Sequence, residues 1–207
     1  MRLRVIVFLC AVTLASIPAF GTPTSLNAVP TADVLACGQA NLAVQFSGGR
    51  ISGDYDFFNQ FQTEFGFGKN IELGVDFSIG PNTGNPCNAK YRIYDETKHR
   101  PAIAIGQYVD LYGTGNPPYI TSYKRIGTSR LHFGATRIDQ SIRALAGYDL
   151  WHGRPFTLQA DYVSGPRTYA SIGFVLNLRD GFSINAAQLI GNSDQAPNAY
   201  MVIAGWT

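Results

Sequence analysis

The chain has 207 residues, of which 14% are charged, well below the roughly 25% of an ordinary soluble domain. Aromatics at 13%, with no low-complexity tract, exclude a disordered chain, and the length is that of one domain. The charges are 16 Lys+Arg against 14 Asp+Glu; leaving out Arg2 and Arg4, which lie in a segment expected to be removed, makes it 14 against 14 and excludes a general nucleic-acid binder.

Residues 1–21 have the layout of a secretory signal peptide. Arg2 and Arg4 are the basic start, Val5 to Leu14 is an apolar run broken by Thr13, and Ala19 and Gly21 occupy the −3 and −1 positions of a cleavage site. The apolar run is shorter than the ~20 residues of a spanning helix, and Pro18 follows it. Residues 22–39 read as an N-terminal periplasmic segment, ahead of a barrel at 40–207. The stretch Val34 to Cys37 matches a lipoprotein cleavage box poorly, because Pro30 and Asp33 precede it.

From Ala40 onward apolar residues recur with period two, the strand period. The pattern predicts twelve strands, at 40–46, 56–67, 70–79, 88–95, 101–111, 118–125, 129–137, 142–150, 155–163, 168–177, 181–190 and 199–207. In the third, Ile71, Leu73, Val75, Phe77 and Ile79 oppose Glu72, Gly74, Asp76 and Ser78. In the ninth, Phe156, Leu158, Ala160 and Tyr162 oppose Thr157, Gln159 and Asp161. Short turns are expected near Lys69, Lys98, Gly127, His152 and Asp180, and longer loops at 47–55, 80–87, 112–117 and 191–198.

A two-faced antiparallel sheet turns its apolar side inward in a soluble barrel and outward, to lipid, in an outer-membrane barrel. Four features favour the second. The polar faces hold charges of both signs interleaved with small residues such as Gly74, Ala102, Ala104, Gly106, Gly134, Gly147 and Gly173, which suit a crowded interior. Aromatics gather towards strand ends: Phe57, Phe67, Tyr91, Tyr119, Tyr123, Tyr148, Phe156, Tyr162, Tyr169, Tyr200 and Trp206. Turn and loop lengths alternate, imperfectly. The last strand runs to the end of the sequence, with Thr207 after Trp206 where a terminal aromatic is usual. The expected fold is an all-β, antiparallel up-and-down transmembrane barrel of about 12 strands in the bacterial outer membrane. Its expected lumen lining is Glu64, Glu72, Asp76, Lys90, Arg92, Arg130, His132, Arg143, Asp149 and Asp161. The first five are expected to share one layer, because their strands are sequential neighbours.

The stretch from Asn88 to Gly106 resembles a hairpin of bacterial outer-membrane barrels, porin-like families and exopolysaccharide-associated barrel proteins among them. The run from Pro30 to Leu35 resembles the approach to their first strand, and Phe61 to Gly66 with Ile71 to Asp76 their second hairpin. The resemblance covers residues 30–207 and implies an outer-membrane protein of that architecture; it carries no catalytic residue with it.

Acyl hydrolysis would need a His beside a nucleophile. His99 and His152 fall in turns, His132 lies on a polar strand face, and no nucleophile can be set against any of them. No metal cluster, cofactor motif or phosphate loop is recognisable. The sequence at Tyr112 to Pro118 is rich in Gly but opens no helix. Cys37 and Cys87 are expected at opposite ends of the barrel, too far apart to bridge. The function expected is a narrow porin-like channel or structural envelope protein, not an enzyme. Its partners would be outer-membrane lipid, the barrel-assembly machinery and small polar solutes. The alternatives are a barrel enzyme acting on lipid or lipopolysaccharide, and a secreted soluble barrel holding an apolar ligand. In the last, Leu73, Val75 and Phe77 would point inward.

Overall fold

A computed structural model of the chain describes residues 25–51, 54–79, 86–110, 117–138 and 140–207. Twelve strands follow one another: β1 (Ala40–Ile51), β2 (Asp54–Phe67), β3 (Ile71–Ile79), β4 (Pro86–Tyr94), β5 (Ala102–Asp110), β6 (Pro118–Ile126), β7 (Ser129–Ile138), β8 (Ser141–Leu150), β9 (Phe156–Val163), β10 (Tyr169–Asn177), β11 (Phe182–Gly191) and β12 (Ala199–Trp206). Each pairs antiparallel with its sequence neighbours, and β1 pairs with β12 to close the barrel. Closure leaves no edge strand unpaired. The signal-peptide reading, and most of the loops expected at 80–87 and 112–117, lie outside the described residues.

The two faces of the strands are as unequal as their sequences. Ile71 and Leu73 are 42% and 41% exposed on the outside, whereas Glu72 between them is fully buried. Phe46, Phe61, Ile105, Phe133, Leu158, Ile172 and Val202 continue the outer apolar face around the wall. The soluble orientation, with Leu73, Val75 and Phe77 inward, is therefore overturned.

Two local expectations also need correction. The loop expected at 47–55 is mostly hairpin, because Ser47 to Ile51 pair with Asp54 to Phe58. The glycines that weaken the strand signal are there for space: a Cβ on Gly49 would strike the Asn198 carbonyl. Tyr119 and Tyr123 belong to no aromatic girdle; both are buried inside. The reason is the neighbouring strand. Ala102, Ala104 and Gly106 of β5 are small, and the rings of β6 fill the volume they leave, with Ala102, Ala104 and Tyr123 in one apolar cluster.

That complementarity can be tested by exchanging sizes. A side chain at Gly106 would overlap the ring of Tyr119. Gly106→Val should destabilise the barrel by about 1–3 kcal/mol, as overpacking does. Adding Tyr119→Ala should recover much of that loss. Urea unfolding of refolded protein, followed by intrinsic fluorescence, measures both.

Candidate functional site

The interior of the barrel is not an open bore. The chain ahead of β1 runs inside it from Ser25 to Leu35 and emerges at the exposed residues 36–38; Leu26, Val29, Thr31, Ala32 and Leu35 are almost completely buried. A tight turn starts the described part: Leu26 N–H donates to Val29 O (2.9 Å) and Ser25 bridges Pro30. Val29 packs with Tyr119, Leu145 and Val163, and Ala32 joins Tyr123 and the β5 alanines. We call residues 25–36 the stopper.

A peptide inside a closed barrel has no strand edge to pair with, and unpaired buried amides are costly. Wall side chains take that role. The Asp161 carboxylate accepts from the amides of Ala28 (2.7 Å) and Val29 (3.0 Å), and also from Ser171. Ser171 in turn accepts from Asn27 Nδ2 (2.9 Å). Thr121 Oγ1 donates to Pro30 O (2.8 Å). Lys90 Nζ donates to Asp33 O (2.8 Å) and lies 3.2 Å from Glu72, whose other oxygen accepts from Leu35 N–H (3.0 Å).

A second set of charges fastens Asp33. Arg130 lies between two carboxylates, with Nη1 2.6 Å from Asp33 and Nη2 2.7 Å from Asp149. Its guanidinium lies 4.7 Å from the centre of the Tyr123 ring, a cation–π geometry. His132 Nε2 must be the donor to Asp149 Oδ2 (3.0 Å), since a carboxylate only accepts; its Nδ1 has no hydrogen-bond partner among the described residues. His152, in the β8–β9 turn, lies 3.7 Å from the same Asp149 oxygen. Burial, reinforced by the nearby Arg130 charge, pushes its pKa down to about 4, against the opposing pull of Asp149 and Asp33.

Above the stopper, towards the other end, a polar cavity of about 240 Å³ remains between residues 25–28 and β1–β4. Gln45, Gln60, Gln62, Glu64, Asp76 and Asn88 line it, with Glu72 and Lys90 at its stopper side.

All ten of the sequence-predicted lumen residues sit on inward strand positions. Glu64, Glu72, Lys90, Arg130, His132, Asp149 and Asp161 are buried; Asp76, Arg92 and Arg143 are half-buried. The expected common layer holds for Glu64, Glu72, Asp76 and Lys90, which meet at the cavity. Arg92 does not join them. It pairs with Asp95 (2.9 Å) near the β4–β5 turn, because its strand has by then reached that end. Arg143 lies against Gly165, away from the ion network. Cys37 and Cys87 are free. Sequence reasoning missed Asp33, Asn27, Ser171 and Thr121 as partners, since nothing in the period-two pattern says that a segment ahead of the strands enters the lumen. One signal was present: a Cβ at Gly66, Gly147 or Gly173 would overlap or press on Ala36, Leu26 or Asn27, so some of the wall glycines mark the stopper's path. No family model matches the chain, and neither does any curated protein.

Two predictions follow from this arrangement. Arg130→Met should destabilise more than Arg130→Met combined with Asp33→Asn, because the single change leaves a buried carboxylate uncompensated. The coupling in a double-mutant cycle should be about 0.5–3 kcal/mol. Additive losses in urea unfolding would deny the latch. His152 is held neutral in the fold, while an unfolded His titrates near 6.5. The unfolded chain then binds the extra proton first, so stability should fall as pH drops from about 6.5 towards 4. Wild type should melt at lower temperature at pH 5 than at neutral pH, and His152→Gln should lose most of that difference.

Proposed function

We propose that the chain is an outer-membrane β-barrel, porin-like in architecture, that its own N-terminal segment holds closed. At rest it serves as a structural envelope protein. As a channel it passes small polar solutes only when residues 25–36 shift. The observation that carries the reading is the inversion of the strand faces: an apolar exterior continuous around the wall, and charges gathered inside. In water such an exterior would be a large exposed apolar patch, which soluble monomers avoid. In a bilayer it is the lipid-facing band. Lipid and the barrel-assembly machinery are the partners this implies, and a secretory signal peptide at residues 1–21 would supply the route. The resemblance of residues 30–207 to porin-like barrels agrees with it. The stopper supports closure, because its amides and carbonyls are bound to the wall by hydrogen bonds, and its Asp33 side chain by an ion pair to Arg130, that a rearrangement could break and remake.

Fractionation and heat-modifiable gel migration test the location. Val75 shares the outward face with Leu73 and Phe77, so Val75→Arg should block assembly, at a cost of about 2–4 kcal/mol near the midplane. Asp76→Asn, on the inward face, should still reach the membrane. Equal recovery of both variants, or a wild-type chain in the soluble fraction, would sink the proposal. In planar bilayers the wild type should be silent or give small, weakly selective steps. Gly147→Val, which displaces Leu26, should increase conductance. Large, strongly selective steps from the wild type would contradict a closed lumen.

A further inference from the structure

We propose that an open cleft on the outer wall, over β4 to β8, binds an anionic glycerophospholipid, with the acyl chains lying in the cleft and the phosphate on Arg137. The proposal rests on the membrane reading of that wall and adds which lipid it holds and where. The cleft has a volume of about 850 Å³, towards the upper end of the range for small-molecule sites. Residue size creates it. One row of paired outward residues runs Tyr91, Ile105, Ile120, Ala135, so three bulky side chains end against a small one. The next row towards the loop end begins Ala89, Gln107, Pro118, with two small residues of its own. The wall is dished between the rows, and a dish of this kind fixes hydrocarbon chains in place where a smooth wall would not.

Charge selects the headgroup. Lys124 and Arg137 are the strand cations whose described side chains point outward. Lys124 is committed to Glu96 (3.2 Å) near the turns. Arg137 is exposed and has no hydrogen-bond or ion-pair partner among the described residues. Gln107 is exposed and unpartnered in the same sense. It pairs with Pro118, and Tyr119 pairs with Thr136, so Gln107, Pro118 and Arg137 fall in one row, the two polar groups about 10 Å apart by strand spacing. No carboxylate lines the cleft among the described residues. A guanidinium matches two phosphate oxygens at once, and an amide adds one further donor. Arg137 is one residue from the loop end of β7, and Ala135 lies two residues closer to the turns. Headgroup site and chain site are thus ordered along the strand as in a leaflet. Ile142, paired with Arg137, is 81% exposed, the most of any large apolar side chain described, and it leaves bare hydrocarbon beside the cation.

Native mass spectrometry of the full chain, refolded in detergent micelles and titrated with lipid, tests the site. Phosphatidylglycerol should bind about tenfold or more tightly than diacylglycerol of the same chains, the scale of a hydrogen bond to a charged group. Arg137→Gln should weaken phosphatidylglycerol by a similar factor and leave diacylglycerol unchanged. Ala135→Phe, which fills the cleft, should weaken both. Arg154→Gln, which removes an exposed cation in the β8–β9 turn, should change neither. Heat-modifiable migration shows that each variant is folded, and if Ala135→Phe does not fold, the two lipids on wild type and Arg137→Gln decide. The proposal is overturned if phosphatidylglycerol binds no better than diacylglycerol, if Arg154→Gln weakens it as much as Arg137→Gln, or if glycerol phosphate without chains binds as tightly. A wild-type chain found in the soluble fraction would defeat the membrane reading itself, whereas a membrane-borne barrel that fails these titrations defeats the lipid site alone.

Discussion

The constraint on which the rest depends is the hydrogen-bonding demand of a peptide that lies inside a closed barrel. Every strand edge is already used, so the backbone of residues 25–36 finds no ladder. Wall side chains replace it, and this explains their identities. Among the described residues Asp161 pairs with no cation; two successive stopper amides and a serine hydroxyl occupy its oxygens. Thr121, otherwise an unremarkable strand residue, exists in this setting as a donor to the Pro30 carbonyl. An apolar lining would have been easier to fold around nothing, but it could not hold this segment.

Shape completes what polarity begins. The stopper needs the wall to recede where it passes, and glycine is the residue that recedes furthest. Gly147 accommodates Leu26 and Gly173 accommodates Asn27. Elsewhere the same device works between wall strands, where the alanines and glycine of β5 admit the tyrosines of β6. Interior glycines and alanines in this chain therefore record two kinds of neighbour, a crossing peptide and a large ring, and sequence alone does not separate them.

The architecture was legible because a period of two tolerates few other interpretations over so many consecutive segments. Strand positions agree with the pattern to within a few residues except at β1, where Gly48 and Gly49 hide a strand behind the composition of a loop. The direction of the faces was legible as well, from charges set among small residues. What was not legible was the lumen's third dimension. Periodicity assigns Glu72 and Lys90 to one face and lets adjacent strands pair them, and they do pair. It cannot say that Leu35 and Asp33 complete the set, nor that Arg92 has moved out of reach along its strand. Contacts across a barrel's interior depend on shear and on an element with no period of its own.

The two charged regions hold the stopper unequally. Around Arg130 the charges alternate tightly: Asp33, Arg130 and Asp149 form a chain in which each acid shares the one guanidinium, with His132 and His152 crowded against Asp149. Breaking it exposes several buried charges at once. Around Asp161 the contacts run to backbone amides and to a hydroxyl, groups that water can replace with less penalty. The part of the segment nearest β1 is accordingly the better fastened, and the turn at residues 26–29 the more easily freed. A stopper built in this way yields first at residues 26–29, beside the polar cavity, while Asp33 keeps residues 30–36 in place. Motion of residues 26–29 would enlarge the cavity and open a path past Leu26 while the rest of the segment stays inside the barrel.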